Sequence, residues 1–209
     1  GNYNAHLCAY PGYDWEGDDV DIPKLLEELM TSPTGRFLTS LNIGMANTMD
    51  DGENDYTDII KRLLKLDGTS RLRRLYIGDV TQEECEVSWI EIGDVSKLWP
   101  KLSKLQSLTL RGGSGVKLGS IALPELRELT IITGGLDKKN LAAICNAKWP
   151  KLEKLDLWFG AKSYGANTTL KDLKPIFDGK AFPKVKHLGL NNCEFTDEIA
   201  QQLPTAKIL

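Results

Sequence analysis

One phrase, L-x-x-L-x-L, recurs along the chain and constrains its fold more than any other feature. The copies are Leu38-Thr39-Ser40-Leu41-Asn42-Ile43, Leu72-Arg73-Arg74-Leu75-Tyr76-Ile77, Leu105-Gln106-Ser107-Leu108-Thr109-Leu110, Leu126-Arg127-Glu128-Leu129-Thr130-Ile131, Leu152-Glu153-Lys154-Leu155-Asp156-Leu157 and Val185-Lys186-His187-Leu188-Gly189-Leu190. The second leucine falls at 41, 75, 108, 129, 155 and 188, at intervals of 34, 33, 21, 26 and 33 residues. In an extended segment successive side chains point to opposite faces, so the apolar pair in Leu129-Thr130-Ile131 turns one way and the threonine the other. A single unit of this size cannot bury its apolar side, but stacked units share one continuous core. The phrase predicts six strands, at 41–43, 75–77, 108–110, 129–131, 155–157 and 188–190, in one parallel sheet in sequence order.

The return segments differ among copies. Helices are expected over Tyr56–Leu66, Lys138–Ala147, Thr168–Phe177 and Thr196–Leu203, the first carrying an apolar stripe of Ile59, Ile60, Leu63, Leu64 and Leu66. The second copy returns through Glu83–Trp99 with a short helix near Val95–Leu98. The third is too short for a helix, and its run Gly112–Gly119 reads as extended or turned. Several copies follow an aromatic or leucine plus proline (Trp99-Pro100, Leu123-Pro124, Trp149-Pro150, Phe182-Pro183), which suits a chain passing from a turn into a strand. Residues 1–35 are expected to cap the stack, with a helix at Ile22–Met30 and with Tyr3, Leu7, Tyr10, Tyr13 and Trp15 shielding the first strand. At the other end, Leu203–Leu209 repeats a strand lead-in. The expectation is a chain that continues past Leu209 or an edge covered by another chain, the competing reading being a terminus that folds back over it.

The pattern over residues 36–209 resembles the leucine-rich-repeat superfamily. Its last unit, Leu188-Gly189-Leu190-Asn191-Asn192-Cys193-Glu194-Phe195-Thr196-Asp197-Glu198-Ile199-Ala200, is close to the ribonuclease-inhibitor-like subtype. Gly78-Asp79-Val80 through Cys85-Glu86-Val87-Ser88-Trp89-Ile90, and Leu157-Trp158-Phe159-Gly160 with Tyr164-Gly165, are similar to an uncharacterised family of bacterial cytoplasmic leucine-rich-repeat proteins. The resemblance implies an α/β solenoid, a right-handed horseshoe of about six irregular repeats with the parallel sheet on its concave face and the returns on its convex face. The uneven intervals depart from a regular ribonuclease-inhibitor array, so its curvature does not transfer.

Composition narrows the function classes. The 209 residues are 41% hydrophobic and 26% charged, with no apolar run long enough to cross a bilayer, and no signal peptide opens the sequence. The net charge of −3 argues against a general nucleic-acid binder, and no membrane partner is expected. The charge is unevenly spread: residues 1–68 hold 13 acids against 5 bases, and the remainder is net basic. Such asymmetry either steers a partner or is solvated surface. Cys8, Cys85, Cys145 and Cys193 form no C-x-x-C or metal-ligand spacing, and reduced thiols in a cytoplasmic protein are expected.

The catalytic inventory is thin. His6 and His187 lie far apart in sequence, and no H-E-x-x-H, G-x-S-x-G or phosphate-loop phrase is present. Arg111–Lys117 is glycine-rich but lacks the G-K-[ST] ending, so it reads as a tight turn rather than a nucleotide site. Asp79, Glu83, Glu84 and Glu86 form an acidic cluster that would need converging oxygens to hold a cation, and ordinary exposed carboxylates are the competing reading. Catalytic residues, metal and cofactor are therefore assigned as none. The outward strand positions are more informative. Arg74, Tyr76, Arg111, Ile132, Asp156, Trp158 and His187 are expected on the concave face, and Tyr, Trp and Arg are the types that dominate binding hot spots. The alternative is that Trp158 and Phe159 pack under the loop 160–167. The reading is a non-catalytic recognition module for a protein or peptide, with an accessory or substrate-presenting subunit as the alternative and a hydrolytic or metal-dependent enzyme a distant third.

Overall fold

The computed structural model describes residues 3–9, 20–47, 54–113 and 115–208. Its centre is a seven-stranded sheet in the order β1 (Tyr3–Leu7), β2 (Leu38–Ile43), β4 (Arg74–Ile77), β6 (Ser107–Gly112), β7 (Glu128–Thr133), β8 (Lys154–Gly160) and β9 (His187–Cys193). Every neighbouring pair is parallel, and the six expected strands follow sequence order. The second leucines stand in register, Leu41 beside Leu75, Leu108, Leu129, Leu155 and Leu188. A small second sheet pairs β3 (Asn54–Asp55) with β5 (Ile90–Glu91).

The leucines build the core as the alternation requires. Lead-in Leu72, Leu105, Leu126 and Leu152 are fully buried, with Leu41, Ile43, Ile77, Leu155 and Leu157 beside them. Burial of one such side chain is worth roughly 1.5–3 kcal/mol, so the repeated phrase is where most of the driving force lies. The last copy has core on one side only, and Val185, Leu188 and Leu190 are half-buried. Two lead-in tryptophans bury their rings and satisfy their indoles, Trp99 Nε1 donating to Leu118 O and Trp149 Nε1 to Ile144 O, both at 2.7 Å.

The returns are helices α1 (Ile22–Thr31), α2 (Thr57–Lys65), α3 (Lys138–Asn146), α4 (Lys174–Phe177) and α5 (Thr196–Gln202). Asp21 caps α1 and Asp137 caps α3, each accepting a backbone N–H three residues on, a contact worth about 1 kcal/mol. The region expected as one helix over 168–177 divides into a 3-10 turn at Leu170–Leu173, opened by a Thr169/Asp172 capping box, and the short α4. The short helix foreseen near Val95–Leu98 is a 3-10 segment, Ser96–Leu102. The third copy returns extended: Lys117 bridges Asp94, and Asn140 of α3 binds both neighbouring peptide groups, accepting from Leu118 N at 3.0 Å and donating to Val116 O at 2.7 Å.

Residues Tyr3–Leu7, expected only to shield the first strand, instead extend the sheet as β1. Ala5 and Leu7 turn toward the core while Asn4 and His6 face out, and Gly44 N–H donates to Leu7 O at 2.7 Å. Tyr10, Tyr13 and Trp15 of the expected cap, Ser114 of the glycine-rich run and Leu209 lie outside the described residues. At the far end Leu203–Thr205 forms a 3-10 turn, and Lys207 N–H donates to Phe177 O at 2.7 Å. Among the described residues no helix is long and apolar enough to cross a membrane.

Candidate functional site

Strand alternation turns one set of side chains into the core and leaves the other on the opposite sheet face. Register then aligns that outer set into rows. One row runs His6, Asn42, Tyr76, Thr109, Thr130, Asp156 and Gly189 across all seven strands. The parallel row is Asn4, Ser40, Arg74, Ser107, Glu128, Lys154 and His187. Almost all are half-buried or exposed; Ser40 alone falls among the buried residues. With parallel strands about 4.8 Å apart, six gaps give a floor of roughly 29 Å.

The first four strands enclose a cavity of about 490 Å3 in this floor, lined by His6, Asn42, Arg74, Tyr76, Ser107 and Thr109 among others. Asp79, two residues past the end of β4, ties two of the cavity's lining side chains together. Asp79 Oδ2 accepts from Asn42 Nδ2 at 2.6 Å and lies 3.8 Å from His6 Nε2. Burial and the nearby Asp79 carboxylate push the Tyr76 phenol above its usual range, so it is a neutral hydroxyl donor at any physiological pH. The side chains of Arg74, Tyr76 and Lys154 have no hydrogen-bond or ion-pair partner among the described residues, whereas Glu128 accepts from Ser107 Oγ at 3.0 Å. At the other end Asn191 Nδ2 donates to Asp156 Oδ1 at 2.7 Å, across space kept open by Gly189, where a Cβ would stand 2.7 Å from that same oxygen. Trp158 is 38% exposed beside this pair and three strand gaps from Tyr76, or roughly 14 Å. Phe159, the next residue, points to the core face with Leu155 and Leu157 and is fully buried against Phe195, so the two aromatics part to opposite faces of the strand.

Two sequence expectations are corrected. Arg111 is not part of the open face; it is 6% exposed. The 79–86 segment of the preceding copy folds across it, and Nη2 donates to Cys85 O at 3.0 Å and Gln82 Oε1 at 3.2 Å. The acidic cluster does not converge either. Asp79 turns to Asn42, Glu84 accepts from Thr81 N–H within its own turn, Glu86 lies beside Ser88, and Glu83 is exposed. Among the described residues no three His, Cys, Asp or Glu side chains are grouped to hold a metal. Ile132 is half-buried and His187 exposed at their expected rows. Sequence reading missed His6 and Asn4 as site residues. Their signal was the short alternation Asn4-Ala5-His6-Leu7, which lacks the leucine lead-in of the other strands.

Three of the four thiols are poorly suited to nucleophilic work. Burial raises Cys8, Cys85 and Cys145 above the usual thiol range, Cys145 to about 11, which suppresses the reactive thiolate. Cys8 nevertheless sits at the edge of the site, its sulfur accepting from Met45 N–H at 3.1 Å.

No family model matches the chain, and no curated protein matches it. It is similar to the crystal structure of a Bacteroides fragilis protein determined as a structural-genomics target, with a TM-score of 0.82 and 27% sequence identity. The match covers 97% of this chain and 56% of that one, so this chain spans little more than half the length of that protein.

Proposed function

We propose that the chain is a leucine-rich-repeat module, a horseshoe-like α/β solenoid, that binds an extended protein or peptide segment on the open face of its sheet and performs no chemistry there. The observation that carries the reading is the pair of register-aligned rows. They offer Arg74, Tyr76 and Lys154 without partners and Trp158 partly exposed, on a floor long enough for an extended chain. Tyr76 and Trp158 each combine a large apolar area with a polar tip, which is the chemistry of binding hot spots. Thr109 and Thr130 between them, with Asn42 and Asn191 on the flanking strands, add hydroxyl and amide groups able to pair with a peptide backbone.

Selection of short random peptides displayed on phage against the purified chain tests this. Enriched peptides should bind the wild type and lose about 2 kcal/mol, roughly 30-fold in affinity, against Tyr76→Ala/Trp158→Ala. Failure to enrich any peptide, or equal binding to the double variant, would contradict the proposal.

A further inference from the structure

A second concavity lies away from the open face, between α3 and the segment that carries α4. It encloses about 540 Å3, within the range of sites that hold a small ligand or a few side chains. Leu141, Ala142 and Cys145 line it from one side of α3, and Pro175 and Ala181 complete an apolar floor. Its rim is basic. Lys138 is held by Asp172 at 3.4 Å, and Asp172 is further occupied by the backbone N–H and hydroxyl of Thr169. The side chains of Lys171, Lys174 and Lys180 have no hydrogen-bond or ion-pair partner among the described residues, against Asp178 as the one lining carboxylate left unpaired.

The surroundings reinforce that sign. Residues 137–186 hold eleven lysines against five acidic residues. Because the strands follow sequence order, this excess gathers at the β7–β9 end of the sheet instead of being diluted over the molecule. A positive field over a concave apolar floor attracts negative charge and rewards a ligand that also has apolar surface to bury.

We propose that this groove docks an acidic amphipathic segment of a partner protein, with its apolar side chains on Ala142, Cys145 and Pro175 and its carboxylates against Lys171, Lys174 and Lys180. An inorganic anion would gain nothing from the apolar floor, and a purely apolar segment would leave the lysines unused. The groove and the open face are separate, so the chain can hold two partners at once.

The probe is a fluorescent synthetic peptide with leucines at helical spacing and glutamates elsewhere, titrated into the purified chain. Two control peptides have the same composition scrambled, or lysine in place of glutamate. The variant is Lys171→Glu/Lys174→Glu/Lys180→Glu, whose exposed, unpartnered side chains leave folding intact, as circular dichroism checks. The expected result is saturable binding of the acidic amphipathic peptide alone, weakened roughly tenfold or more in the variant and weakened by added salt. Bound peptide should also slow alkylation of Cys145. Several results would overturn the proposal: no binding at millimolar peptide, equal binding of the scrambled peptide, binding indifferent to the charge reversal, or self-association of the chain abolished by that variant. None depends on the open face, so a failure here leaves the peptide-display outcome untouched.

Discussion

Asn140 offers the sharpest test of how the helix-free third return is held. Its side chain is buried, at 7% exposure, and replaces a missing run of secondary structure by pairing with two peptide groups: Oδ1 accepts from Leu118 N–H and Nδ2 donates to Val116 O. Asn140→Ala strips both partners at once. A buried donor or acceptor left without a partner costs about 1–3 kcal/mol, so the two together come to roughly 2–6 kcal/mol, reduced by whatever water enters. For a chain of this length each kcal/mol lowers the melting temperature by about 2–4 °C, which puts the expected drop at roughly 6–12 °C for a net loss of about 3 kcal/mol. Asn140→Asp is the informative companion. It keeps the acceptor for Leu118 N–H but sets a carboxylate oxygen against Val116 O, and should be at least as damaging as the alanine. Urea denaturation followed by circular dichroism measures both. A loss below about 1 kcal/mol for the alanine, or an aspartate variant as stable as wild type, would refute the claim that this amide holds the return segment.

Other predictions rest on separate features. Gly160 has φ +72°, and a Cβ there would stand 1.7 Å from Gly134 O, so Gly160→Ala should cost more than about 4 kcal/mol in denaturant titration, whereas Gly115→Ala (φ +94°, nothing within 4 Å) should cost only about 1 kcal/mol. Arg111→Met removes the bonds to Cys85 O and Gln82, and amide exchange over residues 79–86 should accelerate with a stability loss of about 1–3 kcal/mol; unchanged exchange there would contradict the anchoring role. Burial holds the Cys145 thiol neutral up to about pH 11, so its alkylation, resolved by peptide mass spectrometry, should still be rising about tenfold per pH unit between pH 8 and 10; a plateau near pH 9 would count against that burial.

The sheet was legible because its signal is local and repeated. An inward leucine every second residue, found six times, specifies both the strands and their register, and the outward rows follow from that register without further information. What lies over an outward position is not local. Arg111 occupies the same offset as Trp158, yet one is buried and the other exposed, because only Arg111 is crossed by a long segment from the preceding copy. Adjacent carboxylates at 83, 84 and 86 looked like a cluster, but in a turn consecutive side chains diverge: Glu84 and Glu86 meet neighbours of their own and Glu83 stays exposed. The strand at Tyr3–Leu7 escaped notice for the opposite reason. Its inward residues are Ala5 and Leu7, too few to stand out, and it is specified by the exposed edge of β2 rather than by its own sequence. The basic groove depends on how α3 meets α4, which no periodicity in either segment reveals.

The open face is the central claim, and hydroxyl-radical footprinting in the presence of a selected peptide tests it most directly. The chain carries its own control: Trp158 on the face and Trp89, just ahead of β5 in the small second sheet, are 38% and 48% exposed, while Trp99 and Trp149 are buried. The account predicts that bound peptide protects Trp158 and Tyr76 from oxidation and leaves Trp89 unchanged. Protection of Trp89 with Trp158 and Tyr76 still oxidised at the free-protein rate would contradict it.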